Sequence, residues 1–226
     1  MEKKFRGNNG NSKNKLDGRL MNTDLVIKNL EIMFPNAKCE LNYNNDWQLL
    51  IAILLSAQCT DKKVNAVTPT LFSKYPTLKD LKEANFNELE KIIHSLGLSN
   101  NKAKNIINLS KILNEQYNNK VPSNKDELLK LPGIGNKTAN VMLIEYFKTP
   151  AFPVDTHVAR VSKRLNLCKD TDSVEIIEKK LTTKFKKETW AMLHIRMVVF
   201  GRYVCKAIKP NCNECLFNNI CKNKKV

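Results

Sequence analysis

Between Leu131 and Asn140 the chain reads Leu-Pro-Gly-Ile-Gly-Asn-Lys-Thr-Ala-Asn, and no other stretch limits its possible folds so sharply. A helical pattern ends near Leu131, and Pro132 with Gly133 forces a tight turn. Gly135 is expected to allow a further unusual backbone angle, and a second helix then begins with Lys137 in its first turn. The two glycines bare the amides at that helix N-terminus, where N–H groups and the helix dipole favour a phosphate oxygen. This is the logic of a helix-hairpin-helix clamp on a DNA backbone. A plain connection between two helices can use the same residues, so the segment needs independent support.

The rest of the chain predicts helices throughout. Leu25, Leu30 and Met33 mark a first amphipathic helix, and Asp46 is expected to cap a hydrophobic helix running from Leu49 toward Gln58. Apolar spacing places further helices at about 61–74, 78–84, 87–96, 101–117, 125–131, 136–147, 155–166, 173–185 and 188–203. Pro76, Gly97, Pro122 and Pro150 punctuate them. No convincing alternating strand appears, so the fold reads as all-α. The longest apolar run, Leu49–Leu55, is far too short to cross a membrane. The basic, Asn-rich segment 1–22 is expected to be a disordered tail and lacks the apolar core of a secretory signal.

Charge narrows the choice of partner. Lys and Arg total 38 against 22 Asp and Glu, a formal net charge of +16 that suits a polyanion. The count of 32 Lys, 6 Arg and 29 Asn also fits an AT-rich coding sequence, so charge alone does not decide for nucleic acid. The cysteines say more. Cys39, Cys59 and Cys168 are scattered, as small buried thiols would be, whereas Cys205, Cys212, Cys215 and Cys221 crowd the last 22 residues. Four thiolates at that spacing read as a metal or iron–sulfur site, with zinc and an iron–sulfur cubane both open.

Five segments together resemble the endonuclease III family of DNA glycosylase/AP lyases. They are the hairpin around Lys137, Val154-Asp155-Thr156-His157, Leu54-Leu55-Ser56-Ala57-Gln58-Cys59-Thr60-Asp61, Leu96-Gly97-Leu98-Ser99-Asn100-Asn101-Lys102-Ala103, and Gly201-Arg202-Tyr203 leading into C-x6-C-x2-C-x5-C. They occur in the family's order and cover roughly residues 22–221.

The resemblance implies a mechanism. Lys137 becomes the amine that attacks the anomeric carbon of the deoxyribose, displaces the base and leaves a Schiff base, from which the 3′ phosphate is lost by β-elimination. An amine must be neutral to attack, and a partly desolvated place at a helix N-terminus would favour that. Asp155 matches the carboxylate that stabilises positive charge on the sugar; it could equally be, or also be, an N-cap. His157 is expected to support the site, and His94 and His194 to be structural or exposed.

Gln58 and Leu98 become the wedges that fill the gap left by an extruded base. Gly133 and Gly135 join them as DNA contacts, and Lys206 and Lys209 could meet phosphates from the cysteine loop. The resemblance selects a [4Fe–4S] cluster on Cys205, Cys212, Cys215 and Cys221. Two residues depart from the pattern: Ser99 stands where many relatives carry an aromatic residue, and Phe200 where a polar one is expected.

The implied architecture is two helical lobes flanking a DNA cleft: a helical barrel over 39–149, and a cluster lobe made of 23–38 with 150–226. Lys137 and Asp155 should face each other across the junction. The implied activity is bifunctional repair of duplex DNA containing an oxidised pyrimidine or an abasic site, by a monomer in the cytoplasm, or in an organelle or nucleus of a eukaryote. One rival is a monofunctional mismatch glycosylase, which would want a Glu where Ala52 stands and no lysine at position 137. The other is a non-catalytic helix-hairpin-helix DNA-binding module, against which the presence of both Lys137 and Asp155 argues.

Overall fold

The computed structural model describes residues 22–221 and 223, and all regular structure within them is helical. In chain order the helices are α1 (Thr23–Met33), α2 (Asp46–Leu55), α3 (Asp61–Lys74), α4 (Leu78–Lys82), α5 (Phe86–Ile93), α6 (Ser99–Gln116), α7 (Lys125–Lys130), α8 (Asn136–Glu145), α9 (Thr156–Arg164), α10 (Val174–Lys184) and α11 (Trp190–Tyr203). The basic segment expected as a tail lies outside the described residues apart from Asn22, whose side chain accepts the N–H groups of Asp24 and Leu25 and so caps α1.

Helix α2 explains why the fold closes around its middle. Every residue from Trp47 to Leu55 is buried, as expected of a helix that is apolar on all sides. It packs against α3, α6 and α8, while α4 and α5 lie along α6. Its cap differs from the expected one. Asn45 accepts the Gln48 N–H, whereas Asp46 sits inside the first turn and takes the Val121 N–H across the fold at 2.8 Å. The helix also stops at Leu55, before Gln58, because the chain turns out of the helix after Ser56 and reaches a left-handed conformation at Gln58.

The buried apolar side chains form two clusters. One runs from Leu41 to Ala151 through α2–α8. The other joins Val26 and Leu30 of α1 to residues from Phe152 onward, with Phe200 and Phe217 at its centre. Helix α1 is thus returned to the C-terminal half, where it packs on α11 and donates from Asn29 to the Leu216 carbonyl. The clusters are stitched across their junction. Arg202 of α11 pairs with Glu40 and Asp61, and Glu178 of α10 accepts from Asn136 and Asn140 of α8 at 2.8 and 3.0 Å.

Candidate active site

The hairpin forms between α7 and α8, and its two glycines have different reasons to be there. Gly133 has φ +77°, which side-chain-bearing residues rarely adopt. A Cβ at this position would lie 2.8 Å from Asn105 Nδ2 of α6, so the turn is also packed too tightly for one. Gly135 corrects the expectation of an unusual angle: its φ of −97° and ψ of 177° are ordinary extended backbone. It occupies the N-cap of α8 with open space where a Cβ would stand. Its value is therefore access to the first N–H groups of α8, to which no side chain bonds.

Lys137 and Asp155 line the same pocket at the junction of the two clusters, together with Cys39, Glu145, His194 and Arg202. Lys137 lies in the first turn of α8 and is exposed. Because its side chain is exposed, the protein alone does not supply the partial desolvation expected for it. Asp155 is half-buried and accepts the Val158 N–H at 2.8 Å, capping α9. His157, half-buried in the first turn of α9, bonds Arg160 and packs so closely on α11 that a Cβ at Gly201 would come within 2.8 Å of its own Cβ.

His194 is buried among these groups. Its Nδ1 lies 2.8 Å from the Pro153 carbonyl, which can only accept, so Nδ1 carries the proton and Nε2 is the acceptor. Burial lowers its pKa to about 4, against the opposing pulls of Asp155 and the Pro153 carbonyl, and the charge of Lys137 adds to the lowering. The ring is neutral at pH 7. His94 is exposed and bonds Glu90. Burial likewise pushes the Cys39 thiol up to about 11, so it faces the pocket as a protonated, unreactive group.

Gln58 and Leu98 both protrude and both adopt left-handed backbone, with φ of 55° and 51°. Such values are uncommon for residues other than glycine and carry a strain of about 1–3 kcal/mol each. Gln58 borders a second pocket that also holds Lys137 and Asp155. The two departures from the family pattern turn inward instead. Ser99 is buried and bonds Glu90, and Phe200 is buried between Phe34 and Phe217, so neither side chain faces the cleft.

Cys205, Cys212, Cys215 and Cys221 are half-buried around one pocket at the far end of the second cluster. Among the described residues no group of three or more His, Cys, Asp or Glu side chains stands in metal-ligating geometry. The donor set still suits a soft metal centre. No carboxylate or imidazole lines the pocket, and burial pushes the Cys215 thiol up to about 11, with the charges of Cys205, Cys221 and Cys212 acting in the same sense. A bound cation offsets the mutual repulsion of clustered thiolates. Arg164 fastens the surrounding loop, donating to the carbonyls of Cys205, Lys206 and Ala207 and to the Cys205 sulfur at 3.4 Å. Lys206 and Lys209 are exposed on that loop, and Lys209 has φ 50°.

Sequence reasoning missed several of these partners. Lys102, Glu178, Arg164 and the Glu40–Arg202–Asp61 ion pairs join segments 38 to 162 residues apart. Arg202, Asp61 and Lys102 lie inside the family-like segments, but nothing in the sequence pointed to their partners.

Residues 51–187 match the HhH-GPD superfamily, base excision DNA repair proteins. The chain is 49% identical over 203 residues to Endonuclease III of Bacillus subtilis (strain 168), covering 90% of this chain and 93% of that one. Among solved structures it is similar to a non-covalent Endonuclease III–DNA complex and to a trapped Endonuclease III–DNA covalent intermediate. Each has a TM-score of 0.86 at 49% identity, over 88% of this chain and 93% of the other.

Proposed function

The chain belongs to the HhH-GPD superfamily of base excision DNA repair proteins, alongside endonuclease III, and from that premise we propose that it is a bifunctional DNA glycosylase/AP lyase whose nucleophile is Lys137. Its substrate is duplex DNA bearing an oxidised pyrimidine or an abasic site, and it acts as a monomer in the cytoplasm, on the nucleoid. The observation that carries this reading is the shared pocket of Lys137 and Asp155, in a chain close in sequence and shape to an enzyme trapped covalently on DNA.

We assign the residues the following roles. The open N-terminus of α8, with Gly133 and Gly135 ahead of it, receives a backbone phosphate. DNA then covers the cleft and supplies the desolvation that the protein alone does not give Lys137. The amine nitrogen bonds to C1′ as the glycosidic bond breaks and the base leaves. The sugar ring opens to a Schiff base, a C2′ proton is lost, and the 3′ phosphate departs. Asp155, held in place by its bond to the Val158 N–H, faces the positive charge on the sugar. Gln58 and Leu98 fill the gap in the stack. Ala52 is wholly buried in α2, which leaves the mismatch-glycosylase reading without its catalytic carboxylate.

Two lobes are proposed, a barrel over 39–149 and a cluster lobe of 23–38 with 150–226; the two apolar clusters support this division, with Ala151 packing in the first of them. Cys205, Cys212, Cys215 and Cys221 would hold the [4Fe–4S] cluster. Once bound, it would order the loop bearing Lys206 and Lys209 for contact with DNA phosphates.

Borohydride trapping on labelled duplex DNA containing thymine glycol or an abasic site tests the proposal. A covalent adduct that disappears in Lys137→Gln is expected. Persistence of the adduct in that variant would mean that another amine attacks, and the absence of any adduct from folded, cluster-loaded protein would remove the lyase reading.

A further inference from the structure

Lys102 is almost completely buried, at 3% exposure, and its ammonium meets no carboxylate. It donates instead to two backbone carbonyls, Ala57 at 2.8 Å and Leu96 at 3.0 Å. A buried charge held by carbonyls alone is a costly way to stabilise a core, since an apolar side chain of the same volume would do as well or better. The identity of the two carbonyls suggests what the charge is for. Ala57 immediately precedes Gln58, and Leu96 is followed by Gly97 and then Leu98. Both protruding residues thus sit one or two positions beyond an atom fixed by the same ammonium.

The loops themselves need such a tie. They come from segments about forty residues apart in sequence, and the three residues Gln58, Gly97 and Leu98 all have positive φ. A left-handed Gln or Leu persists only where surrounding contacts over-determine it. Lys102 is anchored in turn: its own N–H donates to the Leu98 carbonyl in the first turn of α6, so the residue grips the Leu98 loop at both ends. Burial lowers the pKa of the ammonium, which agrees with a group placed by its two acceptors rather than by an ion pair.

We propose that Lys102 is a positioning residue that couples the Gln58 and Leu98 loops, so that both wedges enter the base stack as one unit during extrusion. The inference rests on the function proposed above. It assigns Lys102 no contact with DNA and no part in the chemistry. Its effect therefore appears only where a base must be taken out of a duplex. A single-stranded abasic substrate has no stack to open and reports on phosphate binding and on the chemistry of Lys137 and Asp155.

The test compares the wild type with Lys102→Met, which keeps the length and volume of the stem and removes the ammonium. Single-turnover cleavage is measured on thymine glycol in duplex DNA and on an abasic site in a single strand. In parallel, 2-aminopurine beside the lesion reports unstacking on binding, and thermal melting reports folding. The duplex-to-single-strand rate ratio should fall about tenfold or more, as misplacement of positioning groups commonly costs. The 2-aminopurine signal should fall with it, while the melting temperature is held or raised. In a Leu98→Ala background the same substitution should cost less than about threefold, because coupled residues are not additive. An unchanged ratio, or equal loss on both substrates with a lowered melting temperature, would overturn the inference. Should Lys102→Met not fold, Lys102→Gln, too short to span both carbonyls, must show the same fall in ratio. If the wild type cuts neither substrate, the proposed function fails, and the 2-aminopurine signal alone then decides the role of Lys102.

Discussion

The Asp155 carboxylate accepts the Val158 N–H at 2.8 Å while lining the pocket that also holds Lys137, so one side chain both caps the start of α9 and faces the proposed reaction site. The two duties separate by substitution. Asparagine is as good an N-cap as aspartate, so Asp155→Asn should change stability by less than about 0.5 kcal/mol. It should nonetheless lower the cleavage rate about a hundredfold or more, the size of a lost charged catalytic group. Asp155→Ala should add a stability loss of about 1 kcal/mol. Urea unfolding beside single-turnover kinetics distinguishes them, and full activity in Asp155→Asn would reduce the carboxylate to a cap.

The two hairpin glycines should respond in opposite ways to the same change. Gly133→Ala meets a positive φ and Asn105 Nδ2 at 2.8 Å, and should cost about 1–3 kcal/mol in a thermal or urea melt. Removing the neighbour with Asn105→Ala should recover only the steric part. Gly135→Ala enters open space at an ordinary φ and should cost less than about 1 kcal/mol. Its effect should be on DNA affinity, because the added methyl would stand at the proposed phosphate site on α8. Equal melting temperatures for the two variants would contradict this account.

Stability should depend on His194 in the acid range. Its pKa falls from 6.5 in the unfolded chain to about 4 in the folded one, chiefly through burial. The unfolded chain then binds a proton that the folded chain refuses. The contribution is fully present above pH 6.5 and is lost as pH falls toward 4, with a slope of at most about 1.4 kcal/mol per pH unit. Urea midpoints measured across that window should flatten in His194→Gln, which keeps a donor for Pro153 and does not titrate. The same slope in both proteins would place the acid sensitivity elsewhere.

Lys206 and Lys209 are exposed on the loop that Arg164 holds to α9. Replacing both with Gln should weaken binding to any duplex alike and lower the slope of log affinity against log salt by about 2, one for each lost phosphate contact. An unaltered slope would remove this loop from the DNA face.

Much of the local structure was legible in the sequence. The predicted boundaries of α3, and the starts of α4, α7 and α8, agree with the observed ones, because apolar spacing and turn residues act within a few positions of one another. The misreadings are equally local. Asn45 outcompetes Asp46 as a cap because Asp46 is engaged by the Val121 N–H, and Gly135 needs space where an angle was expected. The place of Phe200 has a reason the sequence could not supply: that face of α11 points into the Phe34–Phe217 cluster.

The sequence by itself determined the helices, the hairpin and the grouping of four cysteines, since backbone hydrogen bonds and side-chain periodicity are settled between near neighbours. It also named Lys137 and Asp155 by their likeness to a known pattern. Only the tertiary structure decided that these two share a pocket, that His194 is neutral beside them, and that Lys102 grips two loops at once. Those relations depend on burial and on distances between segments far apart in the chain, and packing of the two apolar clusters sets both.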